Sequence, residues 1–170
     1  MDDHGDGYWA EIPEFPGYFV NIHGEVLNER SGYLLTHSPT QHGEMTVGMM
    51  QGGVQKRRSV KVLVANAFVP GKNSIFDTPV LLNGVRNDLR WSNIVWRPRW
   101  FAWKYARQFV ETNPVWFDHP VHEVLSVTDH PSIFHAAMSH GLLCSEIQMS
   151  CLNGSFVYPL NHKYRYIHAR

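Results

Sequence analysis

The stretch "TPVLLNGVRNDLRWSNIVW", residues 78–96, sets the architecture of the middle of this chain. Pro79-Val80-Leu81-Leu82 is an apolar run of strand length, and Asn83-Gly84 is a turn dipeptide because glycine accepts a positive φ at no steric cost. A polar loop carrying Asn87 and Asp88 follows, and Asn93-Ile94-Val95-Trp96 is expected to open a helix. Pro98 suits a first helical turn, so helix is expected over residues 99–112, before Asn113-Pro114 interrupts it.

Outward from that stretch, the N-terminal side reads as short strands. Residues 18–22 and 25–28 pair around His23-Gly24, and Ser31-Gly32 leads into Tyr33, which makes a meander. Residues 44–50 and 54–61 pair around Gln51-Gly52-Gly53. The two-residue period of a strand puts Lys56 and Arg58 on one side and Arg57 on the other. Residues 61–68, KVLVANAF, look helical and end near Pro70-Gly71. In the helix after Pro98, Lys104 and Arg107 share a face, Arg97 lies one heptad before Lys104, and Trp100, Trp103 and Phe109 offer the packing side. Trp91, Trp96, Trp100 and Trp103 are read as core or half-buried props rather than base-stacking platforms.

Beyond residue 115 the pattern is strand (120–125), helix (132–140), a Gly141 turn, helix (145–152) and a closing strand (156–158, resumed near Tyr164). Two short helices joined by a glycine turn are a helix-turn-helix signal. On the second, Ser145, Glu146, Gln148 and Ser150 either read bases or form its wet side. The segment lacks the Lys and Arg that normally anchor such a helix.

The chain has 170 residues, 44% of them hydrophobic and 13% aromatic, enough to bury a core across one to three small modules. No run is as long as a membrane span, and the acidic, polar start MDDHGDGYW is neither a signal nor a transit peptide, so a cytoplasmic, non-secreted protein is expected. Cys144 and Cys151 sit seven apart in one expected helix, too far along its axis to bond, and two cysteines cannot build a zinc finger. His119 and His122 in "DHPVH" have ligand-like spacing but lack a third placed ligand.

The formal net charge is zero, yet the charges are sorted. Residues 1–53 hold eight acids and one base, net −7; residues 54–107 hold eleven bases and two acids, net +9; the remainder holds three bases and five acids, net −2. The middle third is where an anion would bind, because charge acts locally when screening confines it to about 8–10 Å.

Three segments together resemble the HNH homing endonucleases of phages and introns that carry a NUMOD4 module in front. "WAEIPEFPGYFVNIHGEVLNERSGYLL", residues 9–35, is similar to the NUMOD4 opening, and "VKVLVANAFVP", residues 60–70, to that family's helix, with Lys61 where histidine is usual. "LLNGVRNDLRWSNIVW" follows the HNH frame without a gap: Asn83-Gly84 falls on Asp-Gly, Asn93-Ile94 on Asn-Leu and Trp96 on Trp. The C-terminal segment looks like the helix-turn-helix modules attached to these enzymes. The resemblance implies an α+β fold with a small β-rich NUMOD4-like module (8–70), a ββα HNH-like (His-Me finger) centre (71–113) and a helix-turn-helix-like module between short strands (115–168).

It also locates the family's catalytic positions, and this chain departs at each. The general-base histidine falls on Leu81, the acidic metal ligand on Val80 and the last polar residue on Ala102. Asn83, Asp88 and Asn93 remain as a residual frame, read as turn-makers and loop braces rather than ligands. Losing a general base alone forfeits about 10²- to 10⁴-fold in rate. The expectation is therefore a phage-type protein that binds double-stranded DNA without efficient cleavage and without a cofactor, a divalent metal such as Mg²⁺ entering only if cleavage survives. Phosphates are expected on Lys56, Arg57, Arg58, Arg97, Arg99, Lys104 and Arg107, and bases on Gln148 and Ser150. Two alternatives stand beside it: a virion or assembly protein that presents acidic residues 1–53 to a protein partner, and an active endonuclease with rearranged ligands.

Overall fold

The computed structural model describes residues 8–111 and 115–168. Its architecture is mixed α+β, in two compact units. Unit one takes the chain up to Leu81 and Val85–Arg99; unit two takes Leu82–Gly84 and everything from Trp100 onward.

Unit one opens with β1 (Trp9–Glu11), β2 (Tyr18–Asn21), β3 (Val26–Asn28) and β4 (Tyr33–Leu34), an antiparallel sheet in chain order. Phe19 pairs with Glu11 on one side and Leu27 on the other. The β2–β3 turn is pinned by buried Asn21, whose Oδ1 accepts the His23 and Glu25 N–H groups at 3.0 and 2.9 Å while Nδ2 donates to Glu25 at 2.6 Å. Gly24 within this turn has φ +87°, and a Cβ there would lie 2.7 Å from the Leu89 Cβ. Only glycine lets the 85–90 loop lie so close.

β5 (Ser38–Pro39), β6 (Met45–Gln51) and β7 (Val54–Ser59) form a second sheet with β7 at its edge. Gly52 and Gly53, φ +57° and +78°, make the two-residue hairpin turn that positive φ demands. α1 (Val60–Phe68) starts at the residue after β7 and buries Val60, Leu63, Val64 and Ala65. They pack with Phe15, Val20, Val26, Val47, Met49, Ile94 and Trp96 in one apolar cluster. β8 (Thr78–Leu81) and β9 (Ile94–Arg97) close the unit as an antiparallel pair, with Val80 opposite Val95 and Leu81 opposite Ile94.

β9 corrects one expectation: Ile94-Val95-Trp96 does not open a helix. A β-branched pair followed by tryptophan suits a pleated, half-buried surface, and β8 supplies the backbone partners. Helix begins only past Pro98, as α2 (Arg99–Arg107), and ends five residues short of the expected stop. Residues 112–114, with the expected Asn113-Pro114 break, lie outside the described residues, as do residues 1–7 of the acidic lead.

In unit two, α2 buries Phe101 and Tyr105, and the Tyr105 hydroxyl donates to the Leu82 carbonyl at 2.5 Å. A Cβ at Gly84, φ +69°, would meet the Phe109 ring at 2.6 Å. The Asn83-Gly84 turn is thus seated on this helix segment. β10 (Val121–Glu123), β11 (Thr128–His130) and β12 (Tyr164–Tyr166) form a sheet in the order β11-β10-β12. α3 (Ile133–His140) is capped by Ser132, whose Oγ accepts the His135 N–H at 2.9 Å, and it stops at Gly141 in the left-handed region. α4 (Cys144–Asn153) follows, so the two-helix pattern around Gly141 is present. Both cysteines are free thiols, raised by burial to about 12 for Cys144 and about 11 for Cys151. Among the described residues no helix is long and apolar enough to cross a membrane.

Candidate nucleic-acid interface

The positions that the resemblance sets on the HNH frame fall on β8, on the loop that follows it and at the start of α2. Val80 is buried, and Leu81 packs against the apolar cluster of unit one. Asn93 is buried and spends its Nδ2 on the Asp88 carbonyl at 2.9 Å, bracing the loop as its residue type suggests. Asp88, the remaining carboxylate, accepts two bonds from Arg90, both 2.8 Å, and this pairing raises the guanidinium pKa. Asn83 and Ala102 are half-buried. Among the described residues no group of three or more His, Cys, Asp or Glu is gathered as a metal site. The divalent metal that the resemblance implies does not fit these residues: Val80, Leu81 and Ala102 bring no oxygen or nitrogen side-chain donor, and Arg90 bonds both Asp88 oxygens.

The expected phosphate contacts divide into two groups. On β7, Lys56 and Arg57 are exposed, Lys56 reaching only the Gln51 side chain at 2.5 Å. Arg58 is committed elsewhere: its Nε bonds Glu14 at 3.1 Å, its Nη2 pairs with the other oxygen of that carboxylate, and it lies 5.1 Å over the Phe15 ring. That hydrogen bond holds the Glu14 carboxyl below its usual range. Lys61 lies 3.8 Å from Glu44, whose carboxylate also accepts the Ser59 hydroxyl. Two acids of the first third therefore fold back onto the basic stretch instead of sitting on a separate surface. Arg97 is 7% exposed, its Nη1 donating to the Trp96 carbonyl at 2.8 Å, so it offers no open cation.

On α2, Arg99, Lys104 and Arg107 are exposed, and Arg107 pairs with Glu111 at 2.8 Å across one turn. Exposed pairs of this sort are worth little and open readily. The expected packing role of two tryptophans fails here. Trp100 is 51% and Trp103 60% exposed, with the Lys104 ammonium 5.5 Å over the first ring and the Arg107 guanidinium 4.5 Å over the second. Residue spacing held the signal: at 3.6 residues per turn, positions 100, 103, 104 and 107 fall within about 100° of one helical face. Phe101 and Tyr105 take the buried side instead.

The expected base-reading pair on α4 does not present itself to solvent as expected. Ser150 is buried, its Oγ accepting the Tyr164 N–H at 2.9 Å, which ties α4 to β12. Gln148 is half-buried. Ser145 is exposed, and Glu146 accepts the Tyr158 N–H at 3.2 Å. His122 pairs with Asp129 across β10 and β11 at 2.5 Å, and exposed His119 sets its ring against Tyr166. Spacing did not reveal a second histidine group: buried His130 lies against His135 and His140, and His140 against His162.

No family model matches the chain, and no curated protein matches its sequence. A solved structure does match: "DNA binding and cleavage by the HNH homing endonuclease I-HmuI" superposes over 96% of this chain and 99% of its own, with TM-score 0.56 and 20% sequence identity. At that identity the likeness is one of fold, and the mixed α+β arrangement of small sheets and short helices is shared.

Proposed function

We propose that this chain is a phage-type protein of host cytoplasm that binds duplex DNA and derives from HNH homing endonucleases without keeping efficient cleavage. The observation that carries the reading is the set of exposed cations, Lys56 and Arg57 on β7 with Arg99, Lys104 and Arg107 on α2. Among the described residues, only Arg107 of the five makes an ion pair. The likeness in fold to an HNH homing endonuclease that binds and cleaves DNA supports the same ligand here. The module boundaries belong to this proposal: NUMOD4-like to residue 70, HNH-like for 71–113 and helix-turn-helix-like for 115–168.

The loss of cleavage is supported by side chains rather than by any missing ion. A hydrolytic centre needs a base to activate water and ligands to hold a metal against the phosphate. The frame offers a leucine half-buried against the core, a buried valine, an alanine and an arginine-clamped aspartate. Ser150 drops out as a primary base reader, because it is buried and its hydroxyl is used inside unit two, while half-buried Gln148 stays in the proposal.

Releasing counterions from about five phosphates gives a slope of log K on log salt near −4.5, and each lost contact lowers its magnitude by about 0.9. The test compares the protein with its R57Q/K104Q/R107Q variant on duplex DNA across a salt series. The slope should flatten by two to three, with a parallel loss of affinity at low salt. Equal slope and affinity in the variant would move the reading to a protein-interaction role. Plasmid incubated with Mg²⁺ or Mn²⁺ should stay uncut; nicking abolished by alanine at Asp88 or Asn93 would instead establish a nuclease with rearranged ligands.

A further inference from the structure

Two tryptophans, each more than half exposed and one turn apart on a helix, need a physical reason, since leaving such rings in water forgoes the burial that usually places them inside. The scaffold beneath them is well packed. Phe101 and Tyr105 are fully buried with stacked rings, 6.2 Å between centroids, and the Tyr105 hydroxyl is fixed to Leu82. The helix can therefore hold its outer face in place.

The two rings differ in support. Trp100 leans on Tyr158, 5.6 Å between centroids, and on the edge of Phe101 at 5.7 Å. Trp103 has no ring neighbour among the described residues; only the Arg107 guanidinium covers it. Trp100 is thus buttressed, while Trp103 stands free of its own fold.

Charge narrows the ligand. α2 contains no acid, and its exposed stripe alternates aromatic faces with cations. Two carboxylates from outside the helix act on these cations: Glu111, on the exposed Arg107 pair, and Glu146, which feels the Lys104 charge. A partner for this stripe must bring negative charge at its edges and flat π-surfaces or apolar edges between them. A lipid headgroup layer lacks the flat faces, whereas a nucleic acid has both features. Apolar side chains that enter between base pairs unstack one step and bend the duplex by about 20–90°.

We propose that Trp103 is a wedge that enters a base step of the bound duplex and bends it, with Lys104 and Arg107 released onto the flanking phosphates. This rests on the DNA-binding reading above and assigns it a consequence, deformation of the DNA. Cation–aromatic contact caps one side of each ring until phosphate draws the cation away.

The test uses the full chain and a mixed-sequence duplex of about three helical turns, with a fluorescence donor and acceptor at its ends and 2-aminopurine inside. Binding of the unmodified protein should raise energy transfer and 2-aminopurine emission together. W103A should bind within about tenfold, because the unstacking a wedge requires offsets most of what its contacts return, yet lose both signals. W103F should restore most of them, and K104Q/R107Q should lose affinity. Trp103 is exposed, so W103A is expected to fold, and its circular dichroism checks this. Binding without bending by the unmodified protein, or equal bending by W103A, overturns the wedge while leaving the DNA reading intact. Tighter binding to the single strand, weakened equally by W103A, overturns it in favour of a stacking platform. Absence of any DNA binding removes both.

Discussion

Leu81 sits opposite Ile94 at the end of β8 and contributes its side chain to the core of unit one. A histidine there would trade apolar contact for a ring that must find hydrogen bonds among aliphatic neighbours. L81H should therefore cost about 1–3 kcal/mol, seen as a lower urea midpoint at unchanged slope, the usual scale for burying an unsatisfied polar group. It should confer no nicking of plasmid with Mg²⁺, because Val80 and Ala102 still supply no ligand; cleavage by L81H would show that one residue separates this chain from a nuclease. Much of this was legible in residue types alone, since leucine and valine in a strand announce packing. What was not legible is where Asp88 spends its charge. Its clamp by Arg90, two positions on, depends on the turn through residues 88–93 and on no periodic pattern.

Elements read from sequence divide in the same way. α1, α3 and α4 were visible because apolar spacing, Ser132 and Gly141 mark them, whereas β1, β5 and β11 run two or three residues and are strands only because a neighbour pairs with them. The histidines of unit two were visible as residues but not as a group, since β11, α3 and the approach to β12 must converge to gather them. His130 Nδ1 lies 3.4 Å from His135 Nδ1, and its Nε2 is buried with no hydrogen-bond partner among the described residues. Burial, then the neighbouring imidazoles, lowers the pKa of His130 and His140, outweighing the opposing pull of Glu123 on both and of Asp129 on His130. Folded-state pKa values below the unfolded value of about 6.5 mean the unfolded chain takes up protons first as pH falls. Stability from these rings is complete above about pH 6.5 and declines as pH drops through that value toward the lowered ones. Urea midpoints at pH 7.5 and 5.5 should differ in that direction, and H140Q should shrink the difference. A flat profile between those pH values would contradict the assignment. Glu123, buried yet held below its usual range by the Ser126 and Leu125 donors, adds a separate loss only under more acid conditions.

Across the whole molecule, zero net charge conceals a distribution that sequence order only half describes. Sorting along the chain was legible; the return of Glu14 to Arg58 and of Glu44 to Lys61 was not, because pairs 44 and 17 positions apart exist only after β7 and α1 are placed. The Glu14 contact acts as a tether on one cation of the basic strand. E14Q should release Arg58 toward phosphate, steepening the salt slope by about 0.9 and raising affinity at low salt. An unchanged slope would mean that Arg58 never reaches DNA. The placement of β7 has a consequence of another kind. Its outer edge has no strand partner among the described residues, and an open edge is a template on which a second copy can add its own strand and begin to aggregate. Lys56 and Arg57 stand on that edge, so two such strands brought together would meet with like charge, and the same ammonium and guanidinium groups that the proposed function sets against phosphate would keep copies of the protein apart.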